Sequence, residues 1–243
     1  MIRKLLLSAA TLLMAAPSLM AAGCAENAML VFDGSASMSE VTVRMEDDTR
    51  IVEARKALRR ALPDITPFRD VGLLVYGPGG ADSCSGIDLR LPPAPDAADA
   101  IVAEVDALVP GGLTPLAASV AQAAEALDYH REPAIVVLIT DGNETCGGRP
   151  CALGAQLAAE SYHLKVHVIG FRVFNDPFSW NSPEAKTYGG GATVAKCLAD
   201  QTGGMFVSTE TVDDLVRALR QTLGCLVIGS IKENSAFSPD RKP

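Results

Sequence analysis

Apolar positions along this chain fall into two patterns. Ala28-Met29-Leu30-Val31-Phe32, Val71 to Tyr76, Ala134 to Thr140, Leu164 to Phe171 and Met205-Phe206-Val207 are short continuous runs with polar or turn residues around them. Such runs read as strands covered on both faces. Ile87 to Leu91 instead alternates Ile, Asp, Leu, Arg, Leu, which suits a half-exposed edge strand in a hairpin with the 71–76 run. Between the runs the apolar spacing turns helical. Thr49 is a candidate N-cap for a helix to Leu62, with Ile51, Ala54, Leu58, Ala61 and Leu62 on one face and Pro63 and Pro67 stopping it. Asp96 is expected to cap a second helix through Val109, after a break at Pro92 to Pro95. Thr114-Pro115 opens a third to about Tyr129, buried through Leu116, Val120, Ala123, Ala124 and Leu127. Further helices are expected over 151–161, 192–202 and 212–223, the last capped by Asp213 or Thr211.

Strands alternating with helices predict an α/β fold: a doubly wound, mostly parallel sheet with helices on both faces and one antiparallel edge strand. The 243 residues suffice for one sizeable domain, placed at 26–225, with a loose tail over 226–243. Residues 1–22 read as a signal peptide: Arg3 and Lys4, an apolar stretch from Leu5 to Met14, and small residues at Ala21-Ala22-Gly23. The insertion at 172–191, with Phe174, Phe178, Trp180 and Tyr188, is long for a strand-to-helix connection.

Export changes the meaning of the six cysteines, 24, 84, 146, 151, 197 and 225. In an oxidising compartment they read as disulfides. Cys24 and Cys225 bracket the domain and are expected to pair, and Cys146 and Cys151 to close a small loop. Cys84 and Cys197 are left without a geometric argument. The location is therefore periplasmic or secreted, with a lipoprotein anchored at Cys24 as the alternative. A formal net charge of −8 argues against nucleic acid or an anionic surface as partner.

The candidate chemistry sits where strands end. Asp33-Gly34-Ser35-Ala36-Ser37 follows the first run, Thr140-Asp141-Gly142 follows the 134–140 run, and Gly111-Gly112-Leu113-Thr114-Pro115 is a glycine turn before a helix. Ligands of open α/β sheets collect at the carboxyl ends of strands where the strand order reverses. Asp33, Ser35, Ser37, Thr114 and Asp141 would supply two carboxylates and three hydroxyls, an all-oxygen set that selects a hard divalent cation. Mg2+ is the first choice, with Ca2+ and Mn2+ as alternatives. Two aspartates at most neutralise such an ion, and five protein groups leave one octahedral position open for a partner's carboxylate. Glu144 reads as a solvated loop residue, with a supporting contact to the site as the alternative, and His130, His163 and His167 form no catalytic grouping.

The segments Phe-Asp-Gly-Ser-Ala-Ser-Met, Gly-Leu-Thr-Pro-Leu and Ile-Thr-Asp-Gly resemble the metal-ion-dependent adhesion site of von Willebrand factor type A (VWA) domains over residues 26 to 225. Tyr76-Gly77, the stretch from Asp141 to Cys151, and Cys197 resemble exported bacterial members. The resemblance implies a six-stranded sheet. It also implies direct ligation by Ser35, Ser37 and Thr114, with Asp33 and Asp141 acting largely through water. The function expected is a metal-dependent protein-binding module, not an enzyme, with no membrane span after cleavage of the leader. The alternatives are a Mg2+-dependent hydrolase or phosphotransferase using Asp33, and a structural or redox role built on the cysteines.

Overall fold

The computed structural model describes residues 24–41, 48–80, 82–142, 144–172 and 195–225. The expected leader, the tail and all but Arg172 of the 172–191 insertion lie outside them. Six strands form one sheet: β1 (Asn27–Asp33), β2 (Val71–Tyr76), β3 (Ile87–Ala94), β4 (Pro133–Thr140), β5 (His163–Phe171) and β6 (Phe206–Thr209). Their order is β3-β2-β1-β4-β5-β6, and only β3 runs antiparallel. The chain winds outward from β1 to β2 and β3, then returns to β4 on the other flank of β1. The strand order therefore reverses between β1 and β4.

Helices cover both faces. α1 (Arg50–Ala61), α2 (Ala98–Ala107) and α6 (Val212–Leu223) pack on one, and α3 (Leu116–Ala126), α4 (Pro150–Glu160) and α5 (Lys196–Thr202) on the other. The pleat divides each strand between two cores. Leu30 and Phe32 join the α1 side and Met29 and Val31 the α3 side, as Val137 and Ile139 separate from Val136 and Leu138. Burial on both faces is why these strands carry no alternation in sequence.

Three local expectations are corrected. The prolines after Leu91 do not break the chain, and β3 continues through Pro92 and Pro93 to Ala94. It is an edge strand whose pairing with β2 shifts register beside the prolines, and proline is tolerated at such edges and irregularities. Asp96 does not cap α2: its φ is +50° and Ala97 holds the cap position. The disulfides are Cys24–Cys225, as expected, together with Cys84–Cys146 and Cys151–Cys197, so Cys146 and Cys151 are not joined to each other. Folding carries Cys146 under the loop after β2 and sets Cys151, in α4, against α5. Neither proximity is visible along the chain. Among the described residues no helix is long and apolar enough to cross a membrane.

Candidate functional site

β1 and β4 lie side by side, so Asp33 and Asp141 emerge together at their carboxyl ends. Both carboxylates are buried. Asp33 Oδ1 accepts from the Ser35 N–H at 2.8 Å and from the Ser35 hydroxyl at 2.5 Å. Asp33 Oδ2 accepts from the Tyr76 hydroxyl at 2.7 Å and from the Thr140 hydroxyl at 2.8 Å. Ser37 donates its hydroxyl to Asp141 Oδ1 at 2.8 Å, and the Arg50 guanidinium donates to Asp141 Oδ2 at 2.8 Å.

The two serine oxygens stand 3.1 Å apart. Each hydroxyl has one proton, and the shortest bond each makes, to Asp33 and to Asp141, uses it. Lone pairs then face each other across that gap, an arrangement a cation relieves. Adjacent ligands of an octahedral Mg2+ shell, at about 2.1 Å from the metal, are separated by about 3.0 Å. The donor chemistry and this one spacing both fit a small hard cation. Burial pushes the Asp141 carboxyl above the ordinary carboxylate range and the charge of Asp33 adds to this, while Arg50 and Ser37 hold it back. Two buried carboxylates with that mutual repulsion favour a compensating positive charge.

Thr114 reaches the same pole through its backbone. Gly111 N–H donates to Gly34 O at 2.9 Å and Ala36 N–H to Gly112 O at 3.3 Å. On the other side Thr114 N–H donates to Thr145 Oγ1 at 2.8 Å. The approach needs glycine twice. Gly112 has φ +73°, and a Cβ there would lie 1.9 Å from Gly77 O; Gly77 has φ +109°, and a Cβ there would lie 2.5 Å from Ser35 N. The Cys84–Cys146 disulfide straps the loop after β2 to the loop after β4 beside this junction.

The structure thus links Asp33, Ser35, Ser37 and Asp141 through side chains and brings Thr114 in through its loop. Three further residues complete the surroundings. Tyr76 ends an apolar run, yet its hydroxyl braces Asp33, and burial beside that charge pushes its pKa well up, so it stays a donor. Arg50 heads α1 and closes on Asp141. Glu144, expected in solvent, is buried: it accepts from Ala117 N–H at 2.9 Å and Cys146 N–H at 2.7 Å, fastening the β4 loop to the first turn of α3. Its one sequence signal was a place three residues after Asp141. Asp82 and Asp88 stay outside the site, bonded to Cys84 N–H and Arg90.

Comparison with known proteins agrees with the fold. The family model for the von Willebrand factor type A domain matches residues 28–144, which span all three loops. The chain belongs to the VWA family. The uncharacterised protein YwmD of Bacillus subtilis (strain 168) is 31% identical over 202 residues, covering 79% of this chain and 88% of that one. Among solved structures, the conserved hypothetical protein BatB from Bacteroides thetaiotaomicron superposes with a TM-score of 0.57 at 16% identity, over 81% of this chain and 96% of BatB. Proximal thread matrix protein 1 from the mussel byssus, in a form whose adhesion-site motif holds zinc, superposes with a TM-score of 0.53 at 15% identity, over 83% of this chain and 48% of that one. At these identities the structural likenesses establish the VWA fold alone. Among the described residues no cluster of three or more His, Cys, Asp or Glu side chains suits a metal.

Proposed function

We propose that this chain is an exported VWA module that binds a partner protein through a divalent cation, Mg2+ first. Asp33, Ser35, Ser37, Thr114 and Asp141 would hold the ion, and an acidic side chain of the partner would complete its coordination. The observation that carries this reading is the pair of serine oxygens 3.1 Å apart, each of which makes its shortest bond to a buried aspartate. The ion would supply an electrophilic centre to which a carboxylate can bind. Asp33 and Asp141 fix the direction of the serine hydroxyls, Tyr76 and Thr140 fix Asp33, and Glu144 holds the two rims together.

A hydrolytic role for Asp33 finds no support in this geometry. Its two oxygens accept four hydrogen bonds, which leaves a poor base or nucleophile. Three disulfides among the described residues, with no free cysteine, fit export and a structural rather than redox use of the thiols. The test is capture of partners from a cell-envelope extract with and without EDTA. EDTA is expected to abolish capture while the far-ultraviolet circular dichroism stays unchanged. Asp33→Ala is expected to behave as the EDTA-treated protein does. Tight capture by that variant would sink the reading.

A further inference from the structure

We propose that Arg50 is a resident counter-charge of the cation site. It occupies one oxygen of Asp141 and leaves the loaded site with a net positive charge, tuned to accept an anionic partner group. This rests on the cation-binding reading above.

Arg50 is the first residue of α1, and its backbone N–H donates to Glu40 O at 3.1 Å. Its guanidinium turns inward. Nη1 lies 2.8 Å from Asp141 Oδ2, 3.4 Å from Ser37 O and 3.5 Å from Glu40 Oε2. The Asp141 side chain is fully buried and that of Arg50 only 11% exposed, so their pairing is poorly screened. Glu40, at 65% exposure, is screened by water and offsets little of this charge. Among the described residues Arg50 Nε is buried with no hydrogen-bond partner. An aliphatic side chain would cover the same face of α1 without stranding a donor. Packing alone therefore does not account for an arginine here, whereas the charge does.

Counting charge shows the effect. Asp33 and Asp141 contribute two negative charges, Arg50 one positive, and the three hydroxyls none. A divalent ion then leaves the site with one positive charge, where without Arg50 it would be neutral. Asp141 is also spoken for at both oxygens, Oδ1 by Ser37 and Oδ2 by Arg50. It is held as an outer brace, and the ion stays electron-poor. The cost is weaker binding of the metal itself, because a fixed cation stands on the other side of a shared carboxylate. Arg50 is a positioning and charge-setting residue that acts through Asp141.

Titration calorimetry with Mn2+ on the full chain tests this, comparing the wild type with Arg50→Gln, Arg50→Met and Arg50→Lys. The two neutral variants are expected to bind Mn2+ about tenfold tighter, and Arg50→Lys to stay within about twofold of the wild type because it keeps the charge. Acetate titrated into the Mn2+-loaded protein, followed by water-proton relaxation, should show the opposite order: the neutral variants should need several-fold more acetate. A purely structural role for Arg50 moves neither measurement this way. Equal or weaker Mn2+ binding by a folded neutral variant would overturn the proposal and leave the cation reading standing. An equal acetate requirement would overturn it too. No Mn2+ binding by the wild type would remove both. Arg50→Met gives a second neutral side chain should Arg50→Gln fail to fold.

Discussion

Two residues show how much a single polar atom sets here. Tyr76 reads in sequence as the last member of an apolar run, and its ring does lie in the α3-side core. Its hydroxyl, however, stands level with Asp33 because β1 and β2 run parallel with Asp33 opposite Tyr76. Tyr76→Phe keeps the packing and removes one of four donors to a buried carboxylate. Urea denaturation should show a loss of about 1–2 kcal/mol, with weaker stabilisation by added Mg2+. His167 makes the second case. It is buried on β5, and its Nδ1 accepts from Met205 N–H at 3.0 Å, which requires that nitrogen unprotonated. Burial lowers its pKa to about 4, helped by the charges of Lys165 and Arg69. The unfolded chain takes up this proton near pH 6.5, the ordinary value, and the folded chain only near 4. Its contribution is therefore whole above about pH 6.5 and drains away as the pH falls toward 4. The loss should be on the order of 2 kcal/mol. His167→Asn, whose amide oxygen can accept the same bond, should flatten that part of the stability–pH curve.

Elements were legible to different depths. The parallel strands could be read because each is a continuous apolar run, and the helix stripes at 51–62 and 116–127 fall where they were expected. Asp33, Ser35, Ser37 and Asp141 could be read because each follows such a run directly, so local sequence carries their position. Arg50 could not, since Asp141 lies 91 residues further along the chain, and the burial of Glu144 could not, since its partner Ala117 lies 27 residues back. β3 misled for a similar reason: proline forbids a central strand but not an outer ladder edge. Glycine sets the limit of tolerance at the junction of the loops. Gly112→Ala meets both an unfavourable φ and the Gly77 carbonyl. It should lower Tm by several degrees and abolish the Mg2+-dependent rise in Tm, whereas a Cβ added at Gly111 meets nothing within 4 Å.

At the scale of the molecule, the sheet puts its chemistry at one pole and its closure at the other. β1 starts three residues after Cys24 and ends at Asp33, so the Cys24–Cys225 bridge and the site lie at opposite ends of the same strand. Its sequence separation of 201 residues makes this the longest loop of the three. Replacing both cysteines with serine should cost up to about 5 kcal/mol in the chain-entropy model, measured by guanidinium denaturation. The same change at Cys84 and Cys146 should cost less overall but loosen the site, read as weaker Mg2+ stabilisation.

The bridge has a mechanical consequence as well. The Cα atoms of Cys24 and Cys225 are 5.6 Å apart. A pull applied to the chain before residue 24 and after residue 225 passes across one covalent bond and never enters the strands. Stretched by those two handles, the oxidised protein should show almost no extension. Reduction should release a hidden length of roughly 700 Å, at about 3.5 Å per residue. A load applied across Cys24 and Cys225 thus bypasses the strands and leaves the three loops in register.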